Sequence, residues 1–312
     1  MLVAAGFGTR LDPLTRELPK PALPLANRPV AWFACDHLVR AGYTEIAVNT
    51  HHLARELREA LEAHAPAGAR LSFVHEPQIL GRGGGVRNAW QPRDGEDFVT
   101  MNAKLLFAPD LGAALAVHRQ SGAIATMVLR ALPPGASFTA VQVAAEGRVM
   151  AIGSVASAPQ VTAAERARAA QRMFTGVQIL SARAWADLPE NGDIIQHSYA
   201  RWLARGELVA SVTDDAPWMD VGVTLRHYLD AHLALASGSL RWPGITPEPG
   251  GLFVDPSARI ASDCRLELTA VGAHAEVAEG ARLARVVLWP GARITTDLHD
   301  AVVTTSGEIV RF

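Results

Sequence analysis

The chain has 312 residues, a hydrophobic fraction of 49%, a charged fraction of 19% and a formal net charge of −2. That leaves room for one large domain, or one domain with a small companion, around a sizeable core. The charge balance offers no bulk attraction to nucleic acid or to an anionic membrane, and no apolar run is long enough to span a bilayer.

The N-terminus lacks the basic start and long apolar stretch of a signal peptide. Cys35 and Cys264 stand far apart with no metal-ligand spacing around them. Both features predict a cytoplasmic protein with two buried, reduced thiols.

In chain order, MLVAA predicts a first strand, and residues 29–41 a helix with Val30, Phe33, Leu38 and Ala41 near helical spacing and Gly42 as its stop. EIAVNT is a strand, 53–64 a helix, and LSFVH a strand followed by a Gly-rich loop. DFVTMN is a strand that ends in Asn102-Ala103-Lys104, and 110–121 is a helix with Asp110 near its start. AIATMVLR, TAVQVA and RVMAIG follow as three strands in succession, and the arginines of 163–172 predict a solvated helix face. FTGVQIL, a helix over 194–204, ELVASV and a helix over 225–236 complete residues 1–240. This alternation predicts an α/β fold: a Rossmann-like, mostly parallel mixed sheet with helices on both faces and an antiparallel extension.

After Gly238 the character changes. Residues 241–251, RWPGITPEPGG, read as a linker. Over 252–312 apolar residues recur at Ile260, Leu266, Val271, Val277, Leu283, Leu288 and Ile294, in steps of six, five, six, six, five and six residues. A near-hexapeptide period with Gly-Ala pairs predicts a parallel β-helix. Two to three coils of it are too few to stand alone, so the tail is expected to pack on the first domain or on another subunit.

The stretch AAGFGTRLDPLTRELPKPALPL, residues 4–25, carries the chemistry. Gly6 and Gly8 let the backbone turn tightly after the first strand, so that amide groups face an anion. Arg10 adds a fork of donors suited to phosphate oxygens, and Lys20 adds a second cation on a loop stiffened by Pro19 and Pro21. Together they suit a nucleoside triphosphate. No Gly-Lys-Ser/Thr makes this a Walker loop. Leu11 stands where a dinucleotide fingerprint needs its third glycine, and no acidic residue lies near position 28.

The same stretch closely resembles the signature of the sugar-1-phosphate nucleotidyltransferases, the NDP-sugar pyrophosphorylases, written AAGxGTRLxPLTxxxPKPxxPL. HEPQILGRGGGV (75–86) resembles that family's nucleotide loop, FTGVQIL its sugar-side strand, and WMDVGVTLRHYLDAH (218–232) its WxDVG segment. The resemblance covers nearly the whole chain and implies the nucleotide-diphospho-sugar transferase fold with a left-handed β-helix tail. Among branches it is nearest the mannose-1-phosphate guanylyltransferases and the muramate-phosphate uridylyltransferases.

The resemblance implies that the phosphate of a sugar 1-phosphate attacks the α-phosphorus of an NTP and pyrophosphate leaves, giving a GDP-mannose-like product. Positioning and charge neutralisation dominate such chemistry. It places Ala4, Ala5, Gly6, Phe7, Gly8 and Thr9 around the nucleotide, with the Gly6–Thr9 backbone cradling its triphosphate. Arg10 and Lys20 are the catalytic cations. Gly83, Gly84 and Gly85 let the base lie close, Glu76 or its neighbour Gln78 reads the base edge, and Asn102 completes the nucleotide set. Thr139 and Gly176 face the sugar, and Asp220 binds Mg²⁺. The implied partners are an NTP and a sugar 1-phosphate, with a homo-oligomer, or a pairing with a catalytic homologue, as the assembly.

One departure is sharp. The family holds its Mg²⁺ with two aspartates, the first in Asn-Gly-Asp; here the matching residues are Asn102-Ala103-Lys104. A unit-charge pair at about 4 Å is worth ~4 kcal/mol at an effective dielectric of about 20, so an ammonium at that point weakens metal binding by orders of magnitude. Three readings follow: Lys104 points away from the metal, its ammonium replaces part of the metal's charge, or the site is catalytically impaired and the fold serves as a nucleotide-sugar-binding regulatory paralogue. Milder departures are Arg82 for the loop's usual Thr, Thr139 near an expected Gly, a missing Glu-Lys-Pro after RVMAI, and a Met1 unusually close to the glycine loop. His51, His52, His75, His118, His197 and His227 show no ligand spacing and read as loop or surface residues. Trp202 and Trp242 read as packing residues, Trp218 as a residue shaping the site, and Asp214-Asp215 as a solvated turn.

Overall fold

Short apolar runs separated by amphipathic segments bury themselves best as a sheet under helices, and the computed structural model has that arrangement. It describes every residue except Asp94, Pro134, Ala136, Ser137 and Gln160. Two compact units divide the chain: Met1–Gly6, Ala34–His51 and Ala65–Trp218 form one, and Phe7–Phe33, His52–His64 and Met219–Phe312 form the other.

The first unit is built on a ten-stranded mixed sheet. Along it lie Ala156–Ser157, Val149–Ile152, Ala140–Val143, Ala170–Leu180, Phe98–Asn102, Leu2–Val3, Glu45–Thr50 and Arg70–His75. Ala125–Ala131 also pairs with Ala170–Leu180 and carries Val209–Thr213. Within this sheet only Ala170–Leu180 and Val149–Ile152 run against the other strands. Leu2–Val3 sits between Glu45–Thr50 and Phe98–Asn102, so strand order reverses across it. In open α/β sheets, ligands bind at the carboxyl ends of strands at such a reversal. Met127, Leu129, Val141, Tyr199 and Trp202 are buried in the core beneath.

Four readings change. The expected Gly-rich loop is largely a helix, Gly81–Ala89. Glycine costs about 1 kcal/mol per position in a helix, and tertiary packing overrides that here. Gly83 and Gly84 each donate a backbone N–H to Gly192 O, at 2.9 and 3.3 Å. The helix expected over 163–172 ends at Arg168, because Ala170 already begins a strand. His118 is buried, not on the surface. Its Nδ1 lies 2.8 Å from Thr126 Oγ1, and burial pushes its pKa down. Cys35 is a buried free thiol as expected, but Cys264 is only partly buried.

The second unit joins segment Phe7–Phe33 to helix Leu225–Ala236 and a C-terminal stack of parallel strands. Ile260 pairs with Val277, Val277 with Ile294, Leu266 with Leu283 and Val271 with Leu288, each seventeen residues apart. The steps of six, five and six sum to that coil, so the apolar spacing is the geometry of a β-helix. Val271, Val277, Leu283, Leu288 and Ile294 fill its interior. One corner repeats a positive φ at Leu268, Arg285 and Asp300, where Arg285 pairs with Asp300 at 2.5 Å. The last coil is shorter, Leu288 pairing with Val303, and Ile309–Arg311 then turns back antiparallel on Leu298–Val303.

Helix Leu225–Ala236 packs on this stack. His232 is fully buried there, its Nε2 3.2 Å from Leu268 O and its Nδ1 without a hydrogen-bond partner among the described residues. Burial lowers the His232 pKa to about 4 from an ordinary 6.5. Between those values the unfolded chain binds a proton that the folded one refuses. Stability contributed here is therefore complete above about pH 6.5 and falls as pH drops towards 4, by up to ~1.4 kcal/mol per unit. His232→Gln keeps a donor for Leu268 O and cannot titrate. Urea unfolding at pH 7 and pH 5 is expected to show a pH penalty smaller by about 2 kcal/mol in the variant than in wild type. Equal penalties would disprove the assignment.

Candidate active site

In the first unit the parallel strands deliver their ends to one place. Val3 pairs with Asn102, and Ala103 donates its N–H to Val3 O at 3.1 Å. Lys104 follows in the turn before strand Leu105–Phe107, half-buried. At the end of the neighbouring strand, Asn49 is 1% exposed. Its Oδ1 accepts Ala4 N–H at 2.7 Å and Ala5 N–H at 3.4 Å, while its Nδ2 donates to Glu76 Oε1 at 2.7 Å. Glu76 is fully buried, and its other oxygen accepts Leu80 N–H at 3.0 Å. Ala4, Ala5 and Glu76, separate candidates in the sequence, thus meet through Asn49. Sequence reasoning passed over Asn49; its signal was an Asn near the end of a strand facing the first turn.

The glycines divide by surroundings. A Cβ on Gly83 would meet Pro189 Cγ at 2.7 Å, one on Gly84 would meet Glu190 O at 2.5 Å, and one on Gly85 would meet Asn49 Nδ2 and Glu76 Oε1 at 2.6 and 2.7 Å. These three pack against protein. Gly176 has φ +90°, and its Cβ would lie 2.4 Å from Asn102 Nδ2. It sits where the register of Ala170–Leu180 shifts, between Phe174 and Val177, a bulge that brings strand and Asn102 together. Gly6 differs: among the described residues a Cβ there would meet nothing within 4 Å, and its φ lies outside the left-handed region. Folding does not require glycine at position 6.

Thr139 and Phe174 line one cavity of about 240 Å³, with Val141 and Ile152 as apolar wall and Arg82 at its edge. Arg82 Nε donates to Asp193 Oδ2 at 2.6 Å. Trp218 donates its indole N–H to Thr175 O at 3.1 Å and stands edge-on to Phe138. Gln178 and Tyr199 form a buried hydrogen bond of 2.6 Å beneath this strand.

In the second unit, segment Phe7–Phe33 is a chain of short 3₁₀ turns, Thr9–Leu11, Leu14–Arg16 and Lys20–Ala22. Gly8 has φ +70° and its Cβ would reach Thr15 Cγ2 at 3.0 Å, so here glycine answers a backbone need. Phe7, Thr9 and Arg10 are exposed. Lys20 Nζ donates to Gly222 O at 3.1 Å, and Gly222 N–H donates to Asp220 Oδ1 at 2.8 Å. One residue thus ties the second cation to the carboxylate expected to bind metal.

Among the described residues no group of three or more His, Cys, Asp or Glu could hold a metal ion. Asp220 Oδ1 is already engaged by Gly222 N–H, so the described residues do not form a protein cage for a hard cation.

The nucleotidyl transferase family model matches residues 1–238. The chain is 26% identical to UTP--glucose-1-phosphate uridylyltransferase of Synechocystis sp., over 80% of this chain and 67% of that protein. It is 24% identical to mannose-1-phosphate guanylyltransferase of Mycobacterium tuberculosis, over 94% of this chain and 80% of that protein. The crystal structure of HddC from Yersinia pseudotuberculosis complexed with GMP-PN superposes with a TM-score of 0.58 at 17% identity. It covers 73% of this chain and 95% of that one, which shows a shared fold.

Removing Asn49 strands a buried carboxylate oxygen and two backbone donors. Asn49→Ala is expected to cost roughly 1–3 kcal/mol, and Gly85→Ala to be comparably damaging through its clash with the same pair. Calorimetric melting of both variants checks this. Wild-type stability in either variant would show that the Asn49–Glu76 pair is dispensable.

Proposed function

The chain belongs to the nucleotidyl transferase family, and we propose that it moves a nucleotidyl group from a nucleoside triphosphate to a sugar 1-phosphate, releasing pyrophosphate. The observation that carries this reading is Gly6. It lies in an otherwise intact phosphate-loop sequence, at a position where the fold leaves open space and demands no unusual backbone. A glycine that folding does not need is explained by a ligand that approaches its backbone closely.

Arg10, exposed on its 3₁₀ turn, neutralises the leaving pyrophosphate, and Lys20, held by Gly222 O, orients the reacting phosphates. Asp220 holds a Mg²⁺ that comes with the triphosphate; the ion's contribution when bound is charge neutralisation at the phosphates. Thr139 and the Phe174–Gly176 segment face the sugar. The finer reading is a GDP-mannose-like product, supported by the named guanylyltransferase relative, which aligns over more of the chain than the uridylyltransferase does.

Lys104 supports a second reading, a nucleotide-sugar-binding regulatory paralogue. It replaces an expected metal carboxylate at the strand end next to Ala103. Only catalysis needs the paired carboxylates; binding does not.

Two measurements separate these readings. Pyrophosphate release is followed for four NTPs against several sugar 1-phosphates, with and without Mg²⁺, and Lys104→Asp is expected to raise the Mg²⁺-dependent rate. Good wild-type turnover with a slower variant would refute the damaged-site view. Gly6→Ala is expected to keep the wild-type Tm while weakening NTP binding by about tenfold or more. Unchanged binding in that variant would remove the main support for the nucleotide site.

A further inference from the structure

The resembled signature leaves position 17 open, yet Glu17 is one of the most heavily bonded side chains in segment Phe7–Phe33. Its Oε1 accepts the hydroxyls of Thr304 and Ser306, each at 2.5 Å, and its Oε2 accepts Ser306 N–H at 3.2 Å. Thr304 is fully buried. The three donors sit in the turn that links the last β-helix strand, Leu298–Val303, to the reversed strand Ile309–Arg311. That turn is itself fixed by Thr304 N–H to Glu308 O and Gly307 N–H to Thr304 O, both at 3.0 Å. One carboxylate with three donors from a rigid turn is a strong, directional clamp.

On its own side Glu17 closes the 3₁₀ turn Leu14–Arg16, its N–H bonding Leu14 O at 3.3 Å. Only Leu18 and Pro19 separate it from Lys20, which opens the next turn. Proline fixes φ, so little slack remains between clamp and cation. Pro24 O accepts the hydroxyl of Tyr228, and the Asn27 amide donates to Phe253 O and Val271 O at 3.0 Å each, securing the far end of the segment.

We propose that Glu17 is a positioning residue for nucleotide binding, clamping the phosphate-binding segment to the β-helix tail so that Arg10 and Lys20 are presented in a fixed geometry. This rests on the nucleotide reading above. It gives the tail a direct part in the site: order at Thr304–Ser306 becomes order at the phosphate loop.

The test uses the full chain and compares Glu17→Ala, Glu17→Gln and the double variant Thr304→Val/Ser306→Ala. NTP affinity is measured by calorimetry at a temperature where each variant is fully folded, and amide hydrogen exchange is read peptide by peptide. Glu17→Ala and the double variant are expected to weaken NTP binding by about tenfold, equivalent to ~1.4 kcal/mol, and to raise exchange over residues 9–22. Glu17→Gln keeps an acceptor oxygen for both hydroxyls and is expected to recover most of the affinity. Unchanged exchange over 9–22, or raised exchange with unchanged affinity, overturns the proposal. If wild type binds no NTP, the nucleotide reading fails and the positioning role falls with it; raised exchange in Glu17→Ala would then mark a purely structural clamp.

Discussion

The buried hydrogen-bonded pair between Asn49 and Glu76 is the constraint on which the first unit's strand ends depend. A carboxylate fully removed from water must be given donors, and among the described residues Asn49 Nδ2 and Leu80 N–H supply them. Meeting that need orients Asn49 so that its oxygen faces the first turn and fixes Ala4. It also fills the space where Gly85 would carry a side chain. Glycine at 85 and the entry of the first strand into its loop both follow from one amide.

The second unit answers a different problem. Residues 7–29 have little regular structure of their own: three 3₁₀ turns and a two-strand hairpin. Such a segment cannot hold two cations in place by itself. Helix Leu225–Ala236 and the β-helix supply the missing rigidity through Tyr228, Trp289, Asn27 and Glu17. A tail of so few coils needs a partner surface for the same reason, so each element completes the other.

Much of this was readable in the residues. The six-five-six apolar spacing became the seventeen-residue coil, and the strand-helix alternation became the mixed sheet with its reversed extension. The helix expected over 225–236 is Leu225–Ala236. What escaped were facts of three-dimensional contact. Helix Gly81–Ala89 contradicts the propensity of its own glycines, because backbone bonds to Gly192 and the closeness of Pro189 and Glu190 reward small residues there. His118 looked like a surface residue of an amphipathic helix until Thr126 and Asp97 closed over it. Among the candidate site residues, the stretch at 4–25 announced itself through glycines and fixed charges. Asn49 and Glu17 carry no motif, and their importance lies in partners 27 and 287 residues away.

The seventeen-residue coil also limits how this tail can change over evolutionary time. Adding or deleting one residue within a strand would exchange its inward and outward faces, turning Val277 or Leu283 towards solvent. Length changes inside the stack are therefore quantised: a viable gain or loss comes as a whole coil, or as the loss of two residues at a corner, as between Leu288 and Val303. The reversed strand Ile309–Arg311 occupies the edge beyond Leu298–Val303, so a further parallel coil has no place to stack there. Growth of the tail has to occur by duplication from within, upstream of the turn that Glu17 grips.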